Sequence, residues 1–348
     1  GTQNEIFGLD LKGDMFDGIF GLNMERAIVK QVNIDPPIGD GINIETNTGR
    51  PYLPSSSFVH IEGNTIIGAG NDGIRVAGFI YDGDGAHTQT VVIDHNTASY
   101  NGNNGIEVLN EASGAGSVLT QAVAITYNVA NGNGSGGLIA IPFDAPQAQL
   151  IDAEGGIGIA VENLAFSGGT ISQGAFIAGN TANFNYAFSG LSGRAPIQQV
   201  NLFGVAGIGI AVLNEAEGGT ISQIASIIGN TANYNSRAGI VGLNDAALDA
   251  TIDQQLAISG NFVSANGADT GIRIIGPGLA DLNGIGIAVG NFAYRLGTIS
   301  QSLAIDGNTV QANRADGIAL GNFAAYDSGV TQSGQITGNL VDHNSGDG

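Results

Sequence analysis

An asparagine recurs at one fixed place in eight related segments of the chain, and this repeat restricts the fold more than any other feature. The segment Gly-Asn-Thr-Ala-Asn-Phe-Asn at 179–185 returns as Gly-Asn-Thr-Ala-Asn-Tyr-Asn at 229–235. Looser copies begin at Gly63, His95, Tyr127, Gly260, Gly307 and Gly338. If each copy starts at position zero, position +1 is always asparagine: Asn64, Asn96, Asn128, Asn180, Asn230, Asn261, Asn308 and Asn339. Such self-similarity indicates an array of equivalent structural units.

Three further positions keep the same register. Position −2 is Ile in all eight copies, position −6 is Gln in seven, and position +6 is Asn in seven. Positions −4 and −2 are apolar while −3 and −1 vary, which is the alternation of a β-strand with one buried face. The segment before each asparagine is therefore predicted to be a strand.

A second strand of the form Gly-Ile-x-Ile or Gly-Ile-x-Val follows, as at 41–44, 73–76 and 105–108. Its glycine anchors are predicted at residues 18, 41, 73, 105, 137, 190, 239, 271 and 317. The basic step of 31–32 residues suits a coil of three strands with a loop, and is too short for a four-stranded propeller blade. Antiparallel hairpins are the main alternative, but corners rich in Gly and Asn favour winding. The prediction is one all-β domain over 1–348, a right-handed parallel β-helix of about nine to ten coils.

The repeat Val-x-Ile-x-x-Asn-x-a-x-x-Asn-x-x-x-Gly-Ile, where "a" is a small apolar residue, resembles that of the pectate-lyase-like superfamily over roughly 15–348. The resemblance implies the fold but not one function, because that superfamily contains polysaccharide lyases, hydrolases, uronate epimerases and phage tailspikes, and its architecture recurs in adhesins. The epimerase-type Asp-Pro-His signature is only half matched, by Asp35-Pro36-Pro37.

The amide columns have a physical rationale. A sharp corner between strands needs left-handed backbone geometry, which asparagine tolerates, so the +1 asparagine is expected to adopt it. Stacked coils place equivalent side chains about 4.8 Å apart, so their amides can bond along the axis. Either a structural ladder or a binding stripe fits these columns, represented by Asn96, Asn128, Asn180, Asn230, Asn308, Gln121, Gln173, Gln223 and Gln301.

Three coils are longer, with additional apolar segments near 138–156, 191–207 and 272–286. They follow predicted Gly-Ile or Gly-Leu strands and are therefore expected to leave one face of the stack. Exposed apolar segments indicate contact with a partner, although these segments can equally pack on their own coils. The candidate interface residues are Pro142, Phe143, Pro196, Leu202, Phe203, Pro277 and Leu279.

Charge limits the partners. The net charge of −21 repels phosphate backbones and anionic lipid, which argues against nucleic acid and membrane-surface binding. Cysteine is absent, and no run of 18 apolar residues occurs, so no membrane insertion is expected. The chain stops where another Gly-Ile strand would begin, so either it continues or another subunit stacks on it. The expected partners are another copy, end-to-end or lateral, or a cell-surface polysaccharide.

The best catalytic candidates lie within 81–101: His87, Asp94, His95 and Tyr100. Acid–base chemistry requires these groups to converge in one groove, and His87 occupies a position that is apolar in other copies. Arg75 is expected to pair with Glu107 one coil further on. No cofactor is expected, except that Asp82 and Asp84 form an oxygen-rich turn that either binds Ca²⁺ or is simply solvated.

These features favour an extracellular or cell-surface structural or adhesive protein over an enzyme. A polysaccharide lyase or epimerase, or a non-catalytic carbohydrate-binding module, is the alternative.

Overall fold

The computed structural model describes residues 3–13, 15–48, 55–81, 85–134, 156–186, 207–267 and 284–347. In this part of the chain every regular element is a β-strand, and the strands stack as three parallel sheets. No described helix is long and apolar enough to span a membrane.

The first sheet has ten strands, one from each coil. They are β1 (Gln3–Phe7), β4 (Arg26–Lys30), β7 (Ser56–Glu62), β10 (Ala86–Asp94), β13 (Val118–Thr126), β15 (Thr170–Ala178), β17 (Thr220–Ile228), β20 (Thr251–Ser259), β23 (Thr298–Asp306) and β26 (Gly329–Thr337). We call it sheet 1.

The second sheet is narrow. Its strands are β2 (Asp10–Lys12), β5 (Asn33–Asp35), β8 (Thr65–Ile67), β11 (Thr97–Ser99), β18 (Thr231–Asn233), β21 (Phe262–Ser264), β24 (Thr309–Gln311) and β27 (Leu340–Asp342). Single parallel bridges at Val129 and Thr181 connect its two halves. We call it sheet 2.

The third sheet has nine strands. They are β3 (Ile19–Leu22), β6 (Ile42–Asn47), β9 (Ile74–Tyr81), β12 (Ile106–Ser113), β14 (Ile159–Phe166), β16 (Ile208–Glu217), β19 (Ala238–Ala247), β22 (Ile287–Tyr294) and β25 (Ile318–Ala325). We call it sheet 3.

Each coil runs through sheet 1, sheet 2 and sheet 3 before it returns one level higher, and equivalent positions of the repeat stand in register. Gln121 pairs with Gln173, for example, although 52 residues separate them. The chain winds as a parallel β-helix, right-handed as parallel crossovers almost always are. The predicted fold is confirmed.

The interior is built from the alternation seen in the sequence. From β4 to β23 the −4 and −2 side chains of sheet 1 are buried, and with the inward Ile and Val side chains of sheet 3 they form one continuous apolar cluster. Burying an Ile side chain contributes roughly 1.5–3 kcal/mol, and the array repeats this contribution at every level. Stability therefore accumulates coil by coil, as expected for a solenoid.

Three of the predicted glycine anchors are wrong. Residues 137, 190 and 271 lie outside the described residues, and the strands that pair with β12 and β19 begin elsewhere. The glycines stacked at these levels are Gly158, Gly209 and Gly286, so the additional segments precede the sheet 3 strand instead of following it. The Gly-Leu and Gly-Ile sequences at 137, 190 and 271 imitate the strand motif locally, but only the pairing of neighbouring coils selects the real one.

The corner geometry also differs from the prediction. The residue with left-handed backbone is at position zero, not the asparagine at +1: φ is 54° at His95 and Tyr127 and 66° at Gly179. The next residue, such as Asn96, is free of that strain and uses its side chain for bonding. A second left-handed corner lies at position +5, where Tyr100, Phe184 and Tyr234 also have positive φ.

Candidate functional site

The +1 asparagines form an uninterrupted ladder at the corner between sheets 1 and 2. In each of them Nδ2 donates to Oδ1 of the asparagine in the next coil, at 2.9–3.0 Å, from Asn64 to Asn339. The same Oδ1 accepts the preceding asparagine's backbone N–H, as in Asn96 N to Asn128 Oδ1 at 2.8 Å. The second Nδ2 hydrogen reaches a carbonyl one coil back, as from Asn128 to Ile93. The buried amide is thereby satisfied, as burial requires.

The +6 asparagines make a second ladder. Their Nδ2 atoms donate to the next Oδ1 at 2.9–3.1 Å, from Asn101 through to Asn344. The repeated asparagine was visible in the sequence, but its ladder could be assigned only after the corner preceding sheet 3 was located.

The −6 glutamines form a third ladder, inside the coil. Here Nε2 donates back to Oε1 of the preceding glutamine at 2.6–2.8 Å, from Gln332 to Gln89. A fourth column, missed by the sequence reasoning, faces it from sheet 3: Asn110, Asn163, Asn214, Asn244, Asn291 and Asn322.

The two internal columns are cross-linked at six levels, from Gln121 to Gln332. Each of these sheet 3 asparagines donates Nδ2 to the glutamine Oε1 opposite, at 2.8–3.0 Å. Asn163 and Gln173 are fully or almost fully buried. Burial closes most of both columns to an external molecule, and their hydrogen bonds run between neighbouring coils, as a structural ladder requires. A search for residues at a fixed spacing from the Gly-Ile motif could have found Asn110 and its equivalents.

The histidine candidates do not converge. His87 points inward and is buried, and its Nε2 lies 3.0 Å from the Ser57 hydroxyl, so it is not available to a substrate. The equivalent positions in other coils carry apolar residues, because this position of the repeat faces the interior. His95 Nδ1 lies 2.6 Å from Asp94 Oδ2 on the surface. Tyr100 is exposed at the opposite end of β11, so the length of that strand separates it from His95.

Aromatic side chains instead stack along the axis at the two corners. The rings of His95 and Tyr127 have centroids 5.1 Å apart, and those of Phe184 and Tyr234 stack with nearly parallel planes and centroids 5.0 Å apart. Tyr127 lies against Gly179, where any Cβ would clash with the ring.

Arg75 Nε donates to Glu107 Oε2 at 2.8 Å, one coil further on, as the sequence predicted. The pair is more enclosed than a surface ion pair, since only 14% and 4% of the side chains are exposed. Burial, and then the charge of Glu107, raises the pKa of nearby Asp72.

An unexpected carboxyl pair lies on the outward side of sheet 3. Glu215 and Asp245 are in register on β16 and β19. Burial and then the charge of Glu217 raise the pKa of Glu215 to about 7, while burial and then Glu215 raise that of Asp245 to about 7. Leu164 and Phe292 flank the pair in the adjacent coils. The sequence pattern around Glu215 and Asp245 did not indicate that the two residues would lie side by side.

The additional segments lie almost entirely outside the described residues, which end and resume at one corner between the +6 ladder and sheet 3. Gly134 lies against Gly156, and Gly267 lies against Gly284. The predicted interface residues Pro142, Phe143, Pro196, Leu202, Phe203, Pro277 and Leu279 lie outside the described residues.

Asp82 and Asp84, the predicted Ca²⁺ candidates, also lie outside the described residues. Among the residues that are described, no group of three or more His, Cys, Asp or Glu side chains could hold a metal ion.

Comparison with known proteins identifies the architecture. Residues 8–145 match the family model described as right handed beta helix region. No curated protein and no solved structure matches the chain. The in-register pairing continues beyond the matched residues to β26 and β27, so the same coil is repeated in the remainder of the described chain.

Proposed function

We propose that this right-handed parallel β-helix repeat protein is an extracellular structural or adhesive element that acts through surface contact or self-association. The continuous amide ladders carry the proposal. From Asn64 onward they link successive coils through side-chain hydrogen bonds as well as backbone pairing. A shaft of this kind resists bending and separation of its coils, which is the property that a fibre or adhesin needs.

The distribution of acid–base groups supports the same reading. The histidine candidates are either buried or exposed singly, and Arg75 is engaged by Glu107. Stacked aromatic corners and exposed sheet faces offer extended, repetitive surfaces for contact.

Imaging and sedimentation test this proposal. We expect the protein to form rods or lateral assemblies in electron micrographs, or to adhere to a cell-surface polysaccharide without changing it. A species that remains monomeric at high concentration and adheres to no polysaccharide or cell surface would contradict the proposal.

A polysaccharide-active enzyme is the second candidate, favoured by the Glu215–Asp245 pair. Glu215 is partly exposed, and its pKa of about 7 suits general acid–base catalysis because the group exchanges protons near neutral pH. Under this alternative, incubation with uronate or neutral polysaccharides releases new reducing or unsaturated ends. Glu215→Gln should abolish that release while His95→Ala leaves it unchanged. Absence of turnover on a broad panel would exclude this candidate.

A further inference from the structure

A shallow open groove lies on the outward face of sheet 1, with a volume of about 310 Å³. Its floor consists of the small residues Ala122, Ala124 and Gly174 on β13 and β15. Thr90 borders it on β10, and Ile224 borders it on β17. The groove exists because a large side chain is missing at two successive levels of one column.

Gly174 defines the depth of the groove. No heavy atom lies within 4 Å of the place where its Cβ would be, and its backbone conformation is ordinary. Ile224 holds the next level of the same column, so this column accepts a branched side chain. The glycine therefore leaves open a space that the fold could have filled.

The groove is uncharged in a protein whose net charge is −21. None of the residues of β13, β15 and β17 carries a charge. A polyanion such as a polyuronate would find no cation in these strands, and a cationic partner would find no carboxylate. Charge thus selects a neutral occupant.

The chemistry of the rim is amphipathic. Phe176 is 45% exposed beside Gly174 and offers an apolar aromatic surface. A row of exposed hydroxyl side chains, one per level, runs along the neighbouring column: Thr88, Thr120, Ser172 and Ser222. Strand spacing sets these hydroxyls about 4.8 Å apart. An apolar floor with a few polar groups at one side is typical of sites for small ligands.

From this arrangement we infer that the sheet 1 groove binds an uncharged polysaccharide. The carbon-bound face of one sugar ring packs on Phe176 and the alanine and glycine floor, while its hydroxyls bond to the Thr and Ser row. The inference rests on the proposed adhesive function and names its partner class.

A second copy of the chain fits the groove less well. A stable protein interface buries about 800 Å² per partner and so needs a broad surface. The volume of this groove is instead that of a small-ligand site, at the lower end of the range of roughly 300–1,000 Å³. A sugar ring requires no larger area, because neighbouring rings of the polymer can lie along the hydroxyl row.

Filling the groove tests the inference. Gly174→Val places a branched side chain in the empty column, and a strand tolerates valine well, so folding is preserved. Ser302→Val is the matched control: it lies in the same column, exposed, on β23 and away from the groove. Binding is measured by calorimetry with a soluble β-glucan, a mannan and a galactan, with polygalacturonate as the anionic probe.

We expect at least one neutral polysaccharide to bind the unchanged protein and Ser302→Val equally, and Gly174→Val at least tenfold more weakly. Phe176→Ala should weaken binding similarly. Equal binding by Gly174→Val, preference for polygalacturonate, or no binding to any neutral polysaccharide would overturn the inference. If Gly174→Val alters only self-association in sedimentation, the glycan assignment is wrong while the proposed structural function stands. Rod formation and adhesion, measured separately, decide that function.

Discussion

Asn163 Nδ2 donates a 2.9 Å hydrogen bond to Gln173 Oε1 across the interior, and this bond joins β14 of sheet 3 to β15 of sheet 1. The same asparagine bonds forward to Asn214, and Gln173 bonds back to Gln121. A polar network therefore runs through a core that is otherwise apolar. Networks of this kind specify one packing, because any slip in register would leave buried amides unpaired.

Replacement of Asn163 by leucine should lower the free energy of unfolding by about 3 kcal/mol. The change removes the donor to Gln173 and the acceptor for Asn110, and buried groups that lose partners carry the desolvation penalty. Urea unfolding followed by circular dichroism measures the effect. Asn322→Leu at the part-exposed end of the same column is the control and should cost clearly less. Equal losses would show that burial does not determine how much the network contributes to stability.

The corner geometry predicts different responses at neighbouring positions. Gly229 has φ of 63° with open space around its Cβ position, so Gly229→Ala should cost about 1 kcal/mol and Gly229→Asn less. Asn230→Gly should cost more than either, because it interrupts the ladder between Asn180 and Asn261. Thermal unfolding of the three variants gives the order. If Asn230→Gly is the mildest, the assignment of strain to position zero is wrong.

The Arg75–Glu107 pair should matter more than an exposed ion pair. Arg75→Ala leaves a carboxylate of which only 4% is exposed without its nearest cation, and we expect a loss of about 3 kcal/mol. Adding Glu107→Gln to that variant should recover part of the loss. Chemical denaturation of the single and double variants completes the cycle. A double variant no more stable than Arg75→Ala would contradict the electrostatic explanation.

The Glu215–Asp245 pair predicts that stability falls as pH rises. The pKa of each carboxyl is about 7 in the folded chain and near 4 when unfolded, so the folded state binds more protons between these values. The contribution of the pair to the free energy of unfolding is fully present below about pH 4. It is lost as the pH rises through about 7. The slope is about 1.4 kcal/mol per pH unit for each carboxyl, or about 3 kcal/mol per pH unit for the pair.

The measurement compares unfolding free energies at pH 5 and pH 8 for the unchanged protein and for Glu215→Gln with Asp245→Asn. Other carboxyl groups contribute equally to both proteins, so the difference between them isolates the pair. We expect the double variant to lose less stability between the two pH values. Parallel pH profiles would show that these carboxyls have ordinary pKa values in the folded state.

Local periodicity was enough to predict the coil. The inward Ile93 and Ile125, the Gln121 column and the Asn128 column all recur at fixed offsets, because each coil must repeat the same strand, interior and corner. The Arg75–Glu107 pair was also predictable, since the basic step of the repeat places those residues in adjacent coils.

What the sequence by itself determined is thus the alternation of buried and exposed positions and the length of a coil, because both depend on contacts repeated at short intervals. The tertiary structure alone decided which glycines start strands in the longer coils, where Gly158 and Gly209 replace the locally similar candidates. It also decided that Glu215 lies beside Asp245 and that Gly174 opens a groove, whereas the burial of His87 was already indicated by the apolar residues at its equivalent positions. These relationships depend on which strands become neighbours. Segments of unequal length separate the coils, so a local sequence pattern does not show the neighbours, and only the pairing of whole strands decides them.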